Sequence, residues 1–353
     1  MGTEITGART VIGLKIAPTF NTATTIGTGD QVQVESLTFG ENAEELTASP
    51  IGSGDVMTSD SQRGATSPTI QINKIEQFYD GSLAAASQFF GAESLMNMGS
   101  SGYSHSLHMN EAFNTKWITA AWQGQSVAAG SFEFPSCAVV KYGAKYESPP
   151  NYAKETLELV GNKMLTSGQT NTFSTLESAT MGDTERVVIQ PDDEFLINTQ
   201  SGGALATPTD RVSVTSVDIQ LDKPHTFVRE CKGSLGNGEP VASGTPPLTG
   251  TVTITLARLA DMTWFTAMQA GTEYKAKFTV TGSLIGGAIY KSIVWYFPRL
   301  KIISDTQYAL NSAGINPVTV TFKVLVSASY PTGMFSNYPV KVVTNTRSTK
   351  HDS

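Results

Sequence analysis

The sequence predicts a mainly β protein in which one architecture occurs twice in tandem. The composition is rich in Thr, Ser, Gly and Val, and only 16% of the residues are charged, which is typical of short strands joined by many turns. The segment DQVQVESL at 30–37 returns as DRVSVTSV at 210–217, a displacement of 180 (210 minus 30). With 353 residues in all, each copy is long enough to bury its own core.

The repeat continues in the same order along the chain. Residues 80–93 match 260–273 at the displacement of 180. The aromatic-Pro segment FEFP at 132–135 matches WYFP at 295–298, now displaced by 163 (295 minus 132). The first copy therefore carries 17 extra residues (180 minus 163) before that point.

These matches predict the domain boundaries. Copy one is expected over residues 1–180 and contains an insert near 94–113. Copy two is expected over 181–335, and a polar, extended C-terminal arm follows over 336–353. A repeat of this size indicates two domains of one fold and not a short-period solenoid.

Each copy begins with an alternating strand, at 32–39 in copy one. A long turn-rich stretch follows, at 40–68 in copy one and 222–249 in copy two. A second alternating strand comes next, at 69–75 and 251–256. Loops of nearly thirty residues are uncommon in compact domains and are usually functional or disordered.

One short helix per copy is expected after these strands. Gly91 and Gly271 stand where a helix ends in a left-handed residue, a conformation that glycine adopts at low cost. Phe89 in the first helix, like Trp264 and Phe265 in the second, belongs to an apolar stripe at helical spacing. We therefore expect these aromatic residues in the core.

An aromatic-Pro corner follows each helix. Pro135 and Pro298 cannot donate to a strand ladder, so they are expected at a strand edge or end. The closing strands are expected at 155–160 and 318–325.

The long loops differ in charge between the copies. The first loop is acidic over 41–60, whereas the second carries both signs. Loops of complementary charge could meet across a subunit contact, and two solvated loops are the alternative. The charged candidates for such a contact are Glu41, Glu44, Glu45, Asp55 and Asp60 in the first copy with Lys223, Arg229 and Lys232 in the second.

The overall charge and the cysteines exclude several classes of protein. The net charge of −7 does not suit a protein that grips a nucleic-acid backbone, because that affinity comes from Lys and Arg. Cys137 and Cys231 lie at non-equivalent places in the two copies, so free, buried thiols are expected. No apolar stretch reaches 18 residues, so no membrane span is expected.

The candidates for chemistry are weak. His105, His108 and Glu111 could hold zinc on a helix, but a strand would point the two histidines to opposite faces. The acids at 192–194 are explained by a turn beside Pro191, and the Gly-rich run at 233–238 lacks the Lys-Ser/Thr of a phosphate loop. We expect no enzyme, no cofactor and no metal.

The ordered set of elements resembles the tail tube (major tail) proteins of long-tailed bacteriophages. The resemblance rests on the strand, loop, strand and helix order, the helix ending in Gly-x-Glu, the corner WYFPRLKI at 295–302 and the ending YPTGM at 330–334. It is clearest over 205–335 and co-linear over 28–166. It implies tandem β-sandwich domains, each flanked by one helix, with a long loop per domain.

The resemblance also implies a function. Such proteins form stacked rings whose inner strands join into a wide barrel that conducts double-stranded DNA, and duplicated members form trimeric rings of pseudo-sixfold symmetry. The implied partners are other copies of the chain, tape measure, tail terminator and tail tip proteins, with location in the virion tail after assembly in the host cytoplasm. Head-to-tail contacts can close into rings, and about four strands per domain would give three chains roughly two dozen strands.

Two other functions stay open at the level of sequence. A carbohydrate-binding or adhesion module could use Tyr103, Trp117 and Trp122 as an exposed sugar platform. A capsid decoration protein would have the same composition but would be found on virion heads.

Overall fold

The computed structural model describes residues 10–48, 60–79, 83–99, 102–109, 116–124, 130–227, 238–242, 248–256, 263–305, 317–334 and 338–347. Within these residues the chain is mainly β, as the composition predicts. One 17-stranded sheet contains most of the strands, and three short helices pack beside it.

The first group of elements runs from the N-terminal side to the connector between the copies. Its members are β1 (Ile12–Ala17), β2 (Thr28–Gly29), β3 (Gln31–Val32), β4 (Val34–Ala48), β5 (Asp60–Glu76), α1 (Leu83–Phe90), β6 (Gly91–Gly99), β7 (Gly102–Met109), β8 (Trp117–Gln123), β9 (Ser131–Glu147), β10 (Lys154–Gly161), α2 (Phe173–Glu177) and β11 (Thr180–Met181).

The second group completes the described chain. Its members are β12 (Glu194–Thr199), β13 (Arg211–Val212), β14 (Val214–Asp222), β15 (His225–Phe227), β16 (Pro240–Ala242), β17 (Thr249–Leu256), α3 (Thr263–Ala270), β18 (Glu273–Gly286), β19 (Ile289–Asp305), β20 (Val318–Val324) and β21 (Lys341–Thr346).

The strand pairing repeats between the two groups. In the first, the antiparallel order is β3-β1-β8-β9-β10-β5-β4. In the second, it is β13-β12-β18-β19-β20-β17-β14. The register repeats too, because Cys137 pairs with Gly161 and Leu300 with Val324, each 163 residues further on.

The two groups are joined and do not stand apart. Strand β9 pairs with β14, and the buried apolar side chains of both groups form one continuous cluster. The boundary at residue 180 therefore stays a prediction.

The two prolines of the aromatic-Pro corners lie inside long strands. Pro135 stands where the β8–β9 register shifts between Ile118 and Ala120, and Pro298 where the β18–β19 register shifts between Tyr274 and Ala276. The expected edge or end position is therefore wrong. A bulge leaves a residue out of the ladder, so it tolerates a residue without an N–H. Beyond each bulge the strand leaves one set of partners and joins another, which turns the corner.

The helices α1 and α3 match residue for residue at the displacement of 180 (263 minus 83). Gly91 and Gly271 follow them with φ of 88° and 66°, the left-handed conformation that the sequence predicts. Phe89 is fully buried, and Trp264 packs against Tyr274 and Phe322.

The insert and the C-terminal arm form sheet structure together. The insert is the β6–β7 hairpin. Strand β21 lies between β7 and β19, paired antiparallel with both. The arm is thus a central strand in the described sheet, and not only a polar extension, because its alternating residues Val340, Val342 and Thr344 are buried.

Candidate functional site

The principal surface feature is a continuous sheet of eight strands with one polar face. Each half contributes four: β4, β5, β10 and the C-terminal part of β9, then β14, β17, β20 and the C-terminal part of β19.

The joint at the middle of this sheet links the copies. Residues 216–222 of β14 pair with 141–147 of β9. Backbone hydrogen bonds from Lys223 N to Val140 O at 2.8 Å and from Ser148 N to Thr215 O at 2.9 Å extend the joint at both ends. The core-facing residues of β14 alternate with the polar ones, and Val217, Ile219 and Leu221 are fully buried.

Tyr146 closes the core side of this joint. Its side chain is fully buried, and its hydroxyl accepts a hydrogen bond from Trp295 Nε1 at 2.9 Å. Its ring lies edge-on to Phe278, with centroids 5.0 Å apart. Phe90 of α1 also approaches Trp295, at 6.2 Å between centroids. A strand and a helix of copy one thus cover the aromatic residues of copy two.

The outward face of the eight-stranded sheet carries small polar side chains. Threonine recurs at every second position of β17, and Thr253 and Thr321 lie within hydrogen-bond distance at 3.2 Å. Gly143 leaves room for the side chains of its two cross-strand partners, since a Cβ there would lie 2.3 Å from Thr156 Oγ1 and 2.7 Å from Gln220 Oε1.

The described charges on this face balance. Lys141 binds Glu158 at 2.6 Å, and Lys145 binds Glu147 at 2.7 Å. These hydrogen bonds raise the pKa of both ammonium groups. Alternation and register place ten described charged side chains on the face, five basic and five acidic: Lys141, Lys145, Lys154, Lys301 and Lys323 with Glu76, Glu147, Glu158, Asp218 and Asp222.

The sheet ends in two open edges. Among the described strands, β4 pairs with β5 alone, and β19 beyond Lys301 pairs with β20 alone. The counterpart of β4 in copy two is β14, which has partners on both sides. Unpaired edges of this length are templates for association with another chain.

A groove of about 730 Å³, with both apolar and polar side chains in its walls, lies beside the open edge of β4. Phe39 is 38% exposed in it, and its ring centroid lies 4.2 Å from that of Trp122 and 5.4 Å from that of Phe132. The buried Trp122 Nε1 and Gln123 Oε1 beside it have no hydrogen-bond partner among the described residues.

The second helix has an exposed outer face. Phe265 is 36% exposed, in contrast to the prediction that it is a core residue, and Gln269 and Ala270 are exposed beside it. Their counterparts in α1 at the displacement of 180 are Ala85, Phe89 and Phe90, all buried. The sequence carries a signal for this difference, because α1 ends in Phe89 and Phe90 where α3 has Gln269 and Ala270.

The candidate loop residues are distributed differently from the prediction. Strand β4 extends to Ala48, which pairs with Asp60 at the start of β5, so much of the expected loop 40–68 is a β-hairpin. Glu41, Glu44 and Glu45 lie on β4, while Asp55 lies outside the described residues.

Of the basic candidates in copy two, the structure describes only Lys223. Lys223 is 2% exposed, and its Nζ donates to Phe89 O at 3.3 Å. Burial lowers the pKa of its ammonium to about 8. Lys223 is therefore not on the surface of this chain, and Arg229 and Lys232 lie outside the described residues.

The residues considered for chemistry have structural surroundings. His105 and His108 lie on strand β7, and His105 Nδ1 is 2.9 Å from Glu93 Oε1. Glu111 lies outside the described residues. Within the part of the chain that the structure describes, no three His, Cys, Asp or Glu side chains converge as a metal site. Cys137 is buried and free, as predicted, and Cys231 falls outside the description.

The aromatic residues considered for sugar binding are largely covered. Trp117 and Trp122 are 4% and 3% exposed, so these two rings do not present an open platform. In the described ranges no helix combines the length and apolar character needed to cross a bilayer. Neither a protein-family model nor any curated protein matches this chain.

Proposed function

We propose that this protein is a structural subunit of a phage tail tube, three copies of which form a ring around a DNA channel. The observation that carries the proposal is the eight-stranded sheet with two open edges, whose halves are already joined edge to edge at β9 and β14. A joint of this kind, repeated between chains, is heterologous, and such contacts close into rings when the rotation permits.

The strand count supports a wide channel. Three chains would supply 24 strands, three times the eight that the pairing contains. At about 4.8 Å between strands, a closed sheet of that size has a circumference of about 115 Å and a diameter of about 37 Å before strand tilt is included. Barrels of 16–18 strands already enclose water, so this one would admit a DNA duplex.

The character of the outward sheet face suits passage of DNA without binding. Affinity for phosphates requires unpaired Lys and Arg, whereas Lys141 and Lys145 are paired with Glu158 and Glu147. A lining of threonine, serine and glutamine with balanced charge would neither hold nor strongly repel the phosphate backbone.

Stacking of rings is assigned to the ends of the two hairpin arms, β4–β5 and β15–β16, which project from corresponding places in the two copies. The first arm, whose strand β4 contains Glu41, Glu44 and Glu45, would meet the arm of copy two in the next ring. Tape measure, terminator and tip proteins are the partners that such a tube requires.

Negative-stain electron microscopy of the purified protein tests the proposal. We expect annular particles or tubes with a stain-filled lumen and a mass of three chains per ring by light scattering. Deletion of residues 49–59, between β4 and β5, should leave rings but shorten or abolish tubes. Solid particles without a lumen, or a strictly monomeric protein at high concentration together with its absence from purified virion tails, would refute it.

A further inference from the structure

We infer that the groove beside β4 is the docking site for a second copy of this chain, which inserts its helix α3 and the end of its strand β19. The inference deepens the proposed function, since it names the joint by which rings would close. It predicts that the contact between copies reproduces the contact that α1 and β9 make with β14 inside one chain.

The first argument compares a covered surface with its uncovered counterpart. In copy two, Trp295 pairs with Phe278 in the register of β18 and β19, and Tyr146 covers both rings. In copy one, Phe132 and Trp122 hold the same register positions in β8 and β9. There Phe132 is half-buried in the wall of the groove, and Trp122, which is 3% exposed, lies against Phe39 and Phe132 with no counterpart of Tyr146 over it.

The residues of the edge strands show the same contrast. Leu37 and Phe39 of β4 correspond to Val217 and Ile219 of β14 at the displacement of 180. Val217 and Ile219 are fully buried under β9, whereas Phe39 is 38% exposed. An apolar residue that is core in one copy and exposed in the other indicates a missing neighbour.

The backbone N–H and C=O groups along the open edge of β4 can pair with a further strand. Lys223 and Thr215 form hydrogen-bonded pairs with β9, so the odd-numbered residues of β14 direct their backbone groups toward β9. By the displacement of 180, Leu37 and Phe39 direct theirs toward the open edge of β4. Unpaired backbone groups of this kind are completed by strand addition.

The third argument comes from the helices. Leu83, Ala86 and Phe90 of α1 line a cavity together with Ile293 and Trp295 of copy two, and the rest of α1 packs on strands of its own copy. Most positions of α3 are exposed. Because α3 stands beside β19 as α1 stands beside β9, a chain that presents the end of β19 to a partner also presents α3. Ala270, the counterpart of Phe90, and the exposed Phe265 on the same helix would then be covered by the groove.

The register of the joint can be derived. Asp222 of β14 pairs with Lys141 of β9. Their counterparts are Asn42 on β4 (222 minus 180) and Ser304 on β19 (141 plus 163). This position lies between hydrogen-bonded pairs, where the Cα atoms of facing residues are about 4.5 Å apart, which is within the range of a disulfide.

A disulfide trap tests the register. The variant Asn42→Cys/Ser304→Cys, oxidised at high protein concentration, should give covalent species of two and three chains on a non-reducing gel. The control Thr38→Cys/Ser304→Cys displaces one thiol by four residues, about 13 Å, and should give none above the wild-type background. An Asn42→Cys/Ser304→Cys protein that stays a single chain, or that cross-links no better than the control, would overturn the inference.

Complementation tests the head-to-tail character. Phe39→Asp damages only the groove and Phe265→Asp only the helix, and each should weaken self-association about thirtyfold or more, as loss of a buried aromatic anchor does. Met96→Asp, at a more exposed apolar position on the β6–β7 hairpin, should change nothing. A mixture of the two defective proteins should form a dimer that grows no further. The intact helix of Phe39→Asp docks in the intact groove of Phe265→Asp, and only the damaged groove and the damaged helix are then left. Failure of the mixture to dimerise contradicts a head-to-tail joint.

The outcomes separate this inference from the proposed function. Tubes that form normally from Phe39→Asp protein would refute the joint and leave the tube function standing. A trapped Asn42–Ser304 link in particles that lack a lumen would support the joint and refute the tube.

Discussion

Removal of one oxygen atom from Tyr146 tests the joint between the two copies directly. Tyr146 is fully buried, and its hydroxyl accepts the Trp295 Nε1 hydrogen bond at 2.9 Å. In Tyr146→Phe the indole N–H stays buried and loses its acceptor, while the packing on Phe278 is kept. An unsatisfied buried donor costs about 1–3 kcal/mol, so we expect the free energy of unfolding to fall by about 2 kcal/mol.

Urea denaturation followed by far-ultraviolet circular dichroism measures this loss. A double-mutant cycle with Trp295→Phe isolates the coupling energy between the two residues. In the Trp295→Phe background the indole N–H is absent, so Tyr146→Phe leaves no buried donor unpaired. Tyr330→Phe, at a residue that is 63% exposed, serves as the control and should leave the free energy unchanged. A loss of unfolding free energy below about 0.5 kcal/mol in Tyr146→Phe, or a coupling energy near zero in the cycle, would refute the role of the Tyr146–Trp295 hydrogen bond in stabilising this joint.

Three further predictions follow from other parts of the structure. Gly143→Ala should lower the free energy of unfolding, measured by urea denaturation, by about 1–3 kcal/mol through overpacking between strands. Gly40→Ala, with nothing within 4 Å of the added Cβ, should be nearly neutral. Equal effects of the two substitutions would contradict the close contacts at Gly143. Burial lowers the pKa of Lys223 to about 8 from its ordinary 10.5, so the unfolded state holds more protons between these values and stability rises with pH. The free energy of unfolding of the wild type minus that of Lys223→Met should therefore rise between pH 8 and 10.5. A difference that does not change with pH would be inconsistent with a buried ammonium. Asn171→Ala removes the acceptor of Ile26 N and a donor to Glu133 Oε2, both at 2.7 Å. It should lower the free energy of unfolding by about 2–3 kcal/mol in the same denaturation experiment. An unchanged urea midpoint would count against this hydrogen-bond network.

The sequence predicted what depends on local pattern. The displacement of 180 placed α1 and α3 residue for residue, because an apolar stripe followed by glycine at positive φ is a local signal. The mainly β class followed from composition. The aromatic-Pro corners were found, but Pro135 was expected at an edge because a single sequence does not show where two strands slip in register.

The candidate site was not accessible to the same reasoning. The stretch 40–68 reads as a loop from its Gly, Ser, Glu and Asp content, yet the pairing of β4 with β5 makes strands of its flanks. The burial of Lys223 depends on β9 and α1, which lie more than eighty residues earlier. The exposure of Phe39 against the burial of Ile219 is a difference in neighbours, and two matching sequences do not reveal it.

The place of β21 has a consequence for synthesis of the protein. Strands β7 and β19 flank β21, and residue 341 emerges from the ribosome 232 residues after residue 109 (341 minus 109). At about 5–20 residues per second, β7 waits roughly 10–50 s for this partner during translation. The nascent chain therefore passes through a stage in which β7 and β19 are both made and the strand that joins them is still missing.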